Sequence, residues 1–384
     1  MNRIILIGNG FDLAHDLETN YKHFIDNLWR NIINEFRDIR NYKNDVFENN
    51  FIYIKLSLPI YTQPLQAINS YSDFKTFLKE NVLSNGFPMF IEFKNNFLKT
   101  IMDKLHLEKW VDIENEYYEA LKDCIKQKES IDKLNEDFNQ IKDALIRYLE
   151  GINDNLENYT LDFPHENIVK TIFSDFNMND FIEAYIDKKT KMEYEKIPNF
   201  ELNSFSPKEI LFLNFNYTST ELYYSKYYKD RYSELKNPQT EIIEPIYIHG
   251  KLEKENNPII FGFGDEIDES YKSIENLNDN RYLENIKSIK YFETGNYKRL
   301  LSFINSDDYQ IFIFGHSCGN SDRTLLNTLF EHENCVSIKV FYHKKEDGTD
   351  NYSDIVRNIS RHFTNKAVMR DKVVNKKDCN SLIR

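Results

Sequence analysis

His249 follows the apolar run Ile246-Tyr-Ile and is itself followed by Gly250. An imidazole at a strand end can take a proton from a hydroxyl or a water near neutral pH. Asn214 and Asn216 close a second run that begins at Ile210. A carboxamide there offers a ligand both a donor and an acceptor, and it can equally cap a helix that starts near Thr218. Gly8-Asn9-Gly10-Phe11-Asp12 ends a third run, Ile4 to Ile7. Its spacing lets backbone N–H groups face a phosphate, with a helix N-terminus behind them. Gly315-His316-Ser317-Cys318-Gly319 ends a fourth run, Ile311 to Phe314, and Gly262 and Gly264 interrupt a fifth, Ile259 to Phe263. Glycine marks positive φ or a close approach of backbone to something else. Four glycine clusters at strand ends therefore suggest one nucleotide-binding crevice assembled from distant parts of the chain.

Two simpler chemistries fit less well. Leu13 stands where a dinucleotide fingerprint needs its third glycine, and no second strand follows with its acidic residue, so an ordinary dehydrogenase is not indicated. Gly315 to Gly319 matches the Gly-x-Ser-x-Gly nucleophile elbow, with Asp350 or Asp354 and then His362 downstream as partners. In an elbow the helix starts at once after the serine. Here Gly319 to Asp322 intervenes, and the helix cap falls at Ser321 or Asp322.

These motifs need a sheet to carry them. Ile210–Phe215, Ile246–His249, Ile259–Phe263, Ile311–Phe314 and Val336–Tyr342 read as short buried strands, alternating with helices over Ser321–His332 and Ser353–Phe363. Between Asn20 and Phe200 the period changes. Leu134, Phe138, Ile141, Leu145 and Leu149 form a helical stripe, Asn85–Pro88 and Gly151–Asp154 read as breaks, and Ile52–Ile60 is a helix end or a strand. The expected fold is α/β: a Rossmann-like parallel sheet with a large, mostly helical insertion after the first strand. Residues 1–19 and 205–363 would form the nucleotide-binding domain, 20–204 an insertion or lid, and 364–384 a basic, loosely ordered tail. Lys254–Asn257 and Asp265–Asn280 read as surface loops.

A chain of 384 residues with net charge -13 is too acidic for general binding to a nucleic-acid backbone. Cys124, Cys318, Cys335 and Cys379 are scattered without CxxC spacing, so neither a zinc site nor a disulfide framework is expected, and a cytoplasmic setting fits. The chain opens on a strand pattern rather than a signal peptide, and no apolar run approaches the roughly 20 residues a membrane helix needs.

Taken together, the motifs resemble the AbiH family of phage abortive-infection proteins. The resemblance rests on Ile4–Phe24 (IILIGNGFDLAHDLETNYKHF), Trp110–Glu114 (WVDIE), Leu213–Leu222 (LNFNYTSTEL), Ile248–Leu252 (IHGKL), Phe261–Glu266 (FGFGDE) and Phe314–Leu326 (FGHSCGNSDRTLL). Asp16 and Glu18 depart from the Gly and Pro usual in the family's opening. The order of motifs also resembles sirtuin-like NAD-binding domains. That similarity implies that Gly8, Asn9 and Gly10 meet a pyrophosphate, with Phe11 and Asp12 in the same loop. Asn216 would hold a ribose and His249 would be catalytic, with Asn214, Thr218 and Gly250 beside them. Gly315 and Ser317 would approach the adenosine side, and His316 and Asp322 are further candidate cofactor-binding residues. Thr218 stands where sirtuin-like chains carry an Asp near the nicotinamide. The activity implied is an anti-phage NAD glycohydrolase that needs no metal, with NAD as substrate. Its alternatives are a nucleotide-binding sensor without catalysis and a serine hydrolase using Ser317. A phage-derived trigger, a partner defence protein or a second copy of the chain would be its partners; a membrane would not, and nucleic acid is not expected.

Overall fold

A computed structural model describes residues 1–41, 45–56, 68–83, 89–108, 112–127, 130–156, 165–194, 206–232, 240–252 and 256–383. The chain folds as two compact units. One comprises Met1–Leu17, Asn153–Lys272 and Ile286–Arg384; the other comprises Glu18–Ile152 and Ser273–Asn285.

Eight strands are described: β1 (Asn2–Ile7), β2 (Val46–Glu48), β3 (Ile52–Leu56), β4 (Met89–Phe93), β5 (Glu209–Asn214), β6 (Glu241–Tyr247), β7 (Tyr309–Phe314) and β8 (Cys335–Phe341). The first unit is built on a five-stranded sheet of order β6-β5-β1-β7-β8, parallel at every pairing. β1 and β7 are buried at all six positions. Continuous apolar strands of this kind need cover on both faces. On one face Ile4, Leu6, Leu211, Ile311 and Ile338 pack with Leu300, Leu326, Leu329 and Ile359 from three helices. On the other, Ile5, Ile7, Phe212 and Phe314 pack with Phe11, Ile168, Ile172 and Tyr224.

The same face holds a buried polar clamp. Arg3 sends its guanidinium to the carbonyls of Ile172 and Ser174 at 2.8 and 2.7 Å, over the rings of Phe312 and Phe176. Lys339 pairs with Asp180 at 2.9 Å. These contacts explain why Asn153–Asp180 groups with the sheet, although the sequence reading places it in an insertion running to residue 204. Residue 204 itself lies outside the described residues, as does the expected break at Asn85–Pro88.

The second unit carries helices Tyr21–Asn41, Asn96–Glu108, Ile113–Gln127 and Ile131–Leu156 with a small antiparallel sheet, β2-β3-β4. The stripe from Leu134 to Leu149 is buried as its period requires. Ile52–Leu56 is a strand; the remainder of that ambiguous stretch is outside the described residues.

Four expectations are corrected. Gly151–Asp154 is not a break: it lies within helix Ile131–Leu156. Ile259–Phe263 is not a strand of the sheet: its ladder is limited to a bridge from Phe263 to Ile286, and its Ile260 N–H bonds the His249 carbonyl, beyond the end of β6, at 2.8 Å. Asp265–Asn280 contains helix Glu269–Glu275, which buries Tyr271 and Ile274. The C-terminal segment is packed, not loose. Val374 N–H bonds the Ile338 carbonyl at 2.9 Å, Leu382 N–H bonds the Tyr342 carbonyl at 2.9 Å, and Val374 and Cys379 are buried along the β8 edge. All four cysteines are buried, and none forms a disulfide among the described residues. No described helix is long and apolar enough to cross a membrane.

Candidate functional site

The strand order reverses on either side of β1, so the turns after β1 and β7 emerge as neighbours at the carboxyl edge of the sheet. In open parallel sheets that edge is where ligands bind. Here the two turns press against each other. Gly8 N–H bonds the Phe314 carbonyl at 3.0 Å and Gly10 N–H bonds the Gly315 carbonyl at 2.8 Å. Gly315 has φ +70°, and a Cβ there would lie 2.0 Å from the Phe11 nitrogen. A Cβ on Gly8 would lie 2.5 Å from His316 Cα. The close approach that these glycines permit is backbone on backbone. Asn9 opens the helix Asn9–Leu13, and Phe11 is a core residue whose ring stacks on Phe314 at 6.0 Å.

Next to this junction lies a hydrogen-bonded polar network. Asp12 is 1% exposed and accepts from the hydroxyls of Thr218 and Thr220 at 2.6 and 2.7 Å. Asn214 gives its amide to the Thr218 carbonyl at 2.9 Å and to Glu221 at 2.8 Å, and accepts from the Asn216 N–H at 2.7 Å. Tyr247 at the end of β6 donates to the other Glu221 oxygen. Burial pushes the Glu221 carboxyl up to about 7, although the Tyr247 hydrogen bond opposes the rise. Asn216 is buried, yet its side-chain nitrogen has no hydrogen-bond partner.

A second cluster follows β6 and β7. His249 Nδ1 faces the Phe215 carbonyl at 3.1 Å. A carbonyl can only accept, so that nitrogen carries the proton. His249 Nε2 lies 2.9 Å from Asp322 Oδ1, but without the alignment of a hydrogen bond. Lys287 Nζ makes the aligned bond to the same oxygen at 2.9 Å, and His316 Nε2 stands 3.6 Å from Asp322 Oδ2. The Phe215 ring lies between the imidazoles, 5.1 Å from His249 and 4.4 Å from His316. All four polar residues are buried, Lys287 completely. Burial, followed by the nearby ammonium of Lys287, lowers the His249 pKa, so the ring is neutral at pH 7. For Asp322 burial acts against the charge, but Lys287 and the imidazoles outweigh it and hold the carboxyl well below its usual range. The cluster thus offers a neutral imidazole beside a fixed carboxylate and ammonium. That arrangement suits proton transfer from a hydroxyl or water. Among the described residues no three His, Cys, Asp or Glu side chains are grouped to hold a metal.

Ser317 is exposed in the turn after β7. The turn's left-handed residue other than glycine is Cys318, at φ 54°, whereas an elbow places its strain at the nucleophile. The proposed triad partners are engaged elsewhere. Asp350 pairs with Lys376, Asp354 with Arg357, and His362 donates from Nε2 to the Cys318 carbonyl at 2.8 Å.

The fold therefore brings His249, His316 and Asp322 together, and separately joins Asp12, Thr218, Asn214 and Asn216. Gly250, at φ +85°, turns the chain directly after His249. Lys287, Glu221 and Tyr247 were missed. Glu221 falls inside a quoted motif, but Lys287 sits in a stretch where a lysine reads as solvent-facing. Against known families, residues 65–344 match the model described as "Bacteriophage abortive infection AbiH". That match spans most of the chain, which belongs to this family of phage abortive-infection proteins. No curated protein matches it.

Proposed function

We propose that this AbiH chain is an abortive-infection effector that hydrolyses the nicotinamide–ribose bond of NAD. The sheet would be a Rossmann-like, sirtuin-like nucleotide platform: numbered along the unit, its strands run 3-2-1-4-5, the order of dinucleotide-binding sheets. One observation carries the reading. His249 and Asn216, which follow adjacent strands, each keep a buried side-chain nitrogen without an aligned hydrogen bond, while the neighbouring Asn214 side chain is fully engaged with Thr218, Glu221 and Asn216.

The nicotinamide nitrogen is already cationic, so its bond to ribose breaks with the electron pair going to the ring. Catalysis must stabilise an oxocarbenium-like sugar and aim a water at it. Asn216 Nδ2 would hold a ribose hydroxyl or the water. His249 Nε2 would take the water's proton as the new C–O bond forms, then release it to solvent, leaving nicotinamide and ADP-ribose.

The test is purified chain with NAD, following nicotinamide by chromatography. His249→Ala should lower turnover about 10²–10⁴-fold, the usual worth of a general base. Asn216→Ala should also impair turnover. No nicotinamide under any activating condition overturns the enzyme reading. Tight NAD binding in calorimetry without turnover would instead select a nucleotide sensor. That sensor is favoured by one observation: the Thr218 hydroxyl is already committed to Asp12.

A further inference from the structure

We infer that Lys287 is a positioning residue for His249: its ammonium takes the aligned hydrogen bond to Asp322 and thereby leaves the imidazole Nε2 open to accept a proton. The consequence for turnover rests on His249 acting as the base; the local chemistry does not.

Two nitrogens contest one oxygen. Lys287 Nζ and His249 Nε2 both lie 2.9 Å from Asp322 Oδ1, and the lysine alone is aligned with it. The imidazole proton is on Nδ1, against the Phe215 carbonyl, so in the neutral ring Nε2 presents a lone pair. A lone pair that close to a buried carboxylate is repulsive unless a positive charge is shared nearby. Lys287 supplies that charge without protonating the ring. If the ammonium is removed, a proton on Nε2 becomes the natural counter-charge, and Asp322 with His249 collapses into an ion pair that cannot act as a base. The lysine and that proton are alternative occupants of one role.

The other groups facing His249 do not substitute. His316, from the turn after β7, reaches only the second carboxylate oxygen, at 3.6 Å, and Tyr217 presents an uncharged ring 6.4 Å away. The position of the lysine is set by backbone. Its N–H bonds the Phe263 carbonyl at 2.9 Å, and a Cβ on Gly264 would come 3.2 Å from Lys287 Cβ. A buried Lys–Asp pair returns little net stability, which leaves control of the neighbouring charge as the gain.

The experiment is a pH titration of the histidine rings in the full chain by carbon-detected NMR, with the His249 signal assigned by its loss in His249→Gln. In Lys287→Met the His249 midpoint should rise by at least about one pH unit over the wild type, and in Lys287→Arg it should stay at the wild-type value. An unchanged midpoint in folded Lys287→Met overturns the inference; if that variant does not fold, Lys287→Gln is read by the same criterion. Nicotinamide release is followed in parallel. Its acid limb should move up with the midpoint, with kcat at pH 7 reduced and KM little changed. A raised midpoint in a chain that never releases nicotinamide would uphold the lysine's role and sink the glycohydrolase. Turnover with an unmoved midpoint would do the reverse.

Discussion

Asp12 shows how much of the site region is scaffold at the level of single residues. Its carboxylate satisfies two buried hydroxyls, so Asp12→Ala would strand both donors and should cost about 2–5 kcal/mol in urea unfolding, with the loss smaller when Thr218→Val and Thr220→Val are combined with it. Glu221 predicts a pH dependence. Its folded pKa of about 7 lies above the ordinary value of 4.5, so the folded state holds the proton more tightly. Stability from this group is therefore full below about pH 4.5 and is lost as pH rises through 7, by on the order of 3 kcal/mol. Unfolding midpoints at pH 5, 6, 7 and 8 should show that component, and Glu221→Gln should remove it. His15 acts oppositely. Burial lowers it to about 4, with Nδ1 on the Phe11 carbonyl, so the neutral ring's contribution is lost as pH falls below 6.5 toward 4. His249 and Asn216 could be singled out from strand-end position alone. Lys287 could not, because residue type and spacing do not tell which way a lysine faces on a single helical turn.

Elements explain what the glycines mean. Clustering at strand ends marks close approach, but it does not say what approaches. At Gly315 the neighbour is the backbone at Gly10 and Phe11, two strands' turns brought together by a crossover of some 300 residues that no local pattern reveals. Gly315→Ala should prevent folding or lower stability by more than about 3 kcal/mol. Gly151 is the contrast. It lies in helix Ile131–Leu156 with open space around its Cβ position, so Gly151→Ala should stabilise by about 0.5–1 kcal/mol. Paired thermal melts would show the opposite signs. The strands themselves were legible because a parallel strand buried on both faces is a bare apolar run. Ile259–Phe263 has the same composition without the ladder, since burial alone does not distinguish a strand from a buried connecting segment.

Across the whole molecule, composition described the C-terminal segment poorly. Its lysines read as a solvated tail, yet Lys372 caps the Phe330 and His332 carbonyls at 3.0 and 2.8 Å, and Val374 and Cys379 cover the β8 edge. Charge counts miss such packing because long side chains bury their stems and keep the charged end paired. Truncation after Thr364 should lower stability by about 3 kcal/mol or more and promote association through the uncovered edge, read by melting and size-exclusion chromatography. The buried thiols add a last consequence. Cys318 lies in the left-handed turn beside His316, fully enclosed and with its thiol pushed far up by burial, so an alkylating reagent reaches it only when that turn swings outward. Its labelling rate is a built-in clock for breathing at the carboxyl edge of the sheet, readable by mass spectrometry in the unmodified chain.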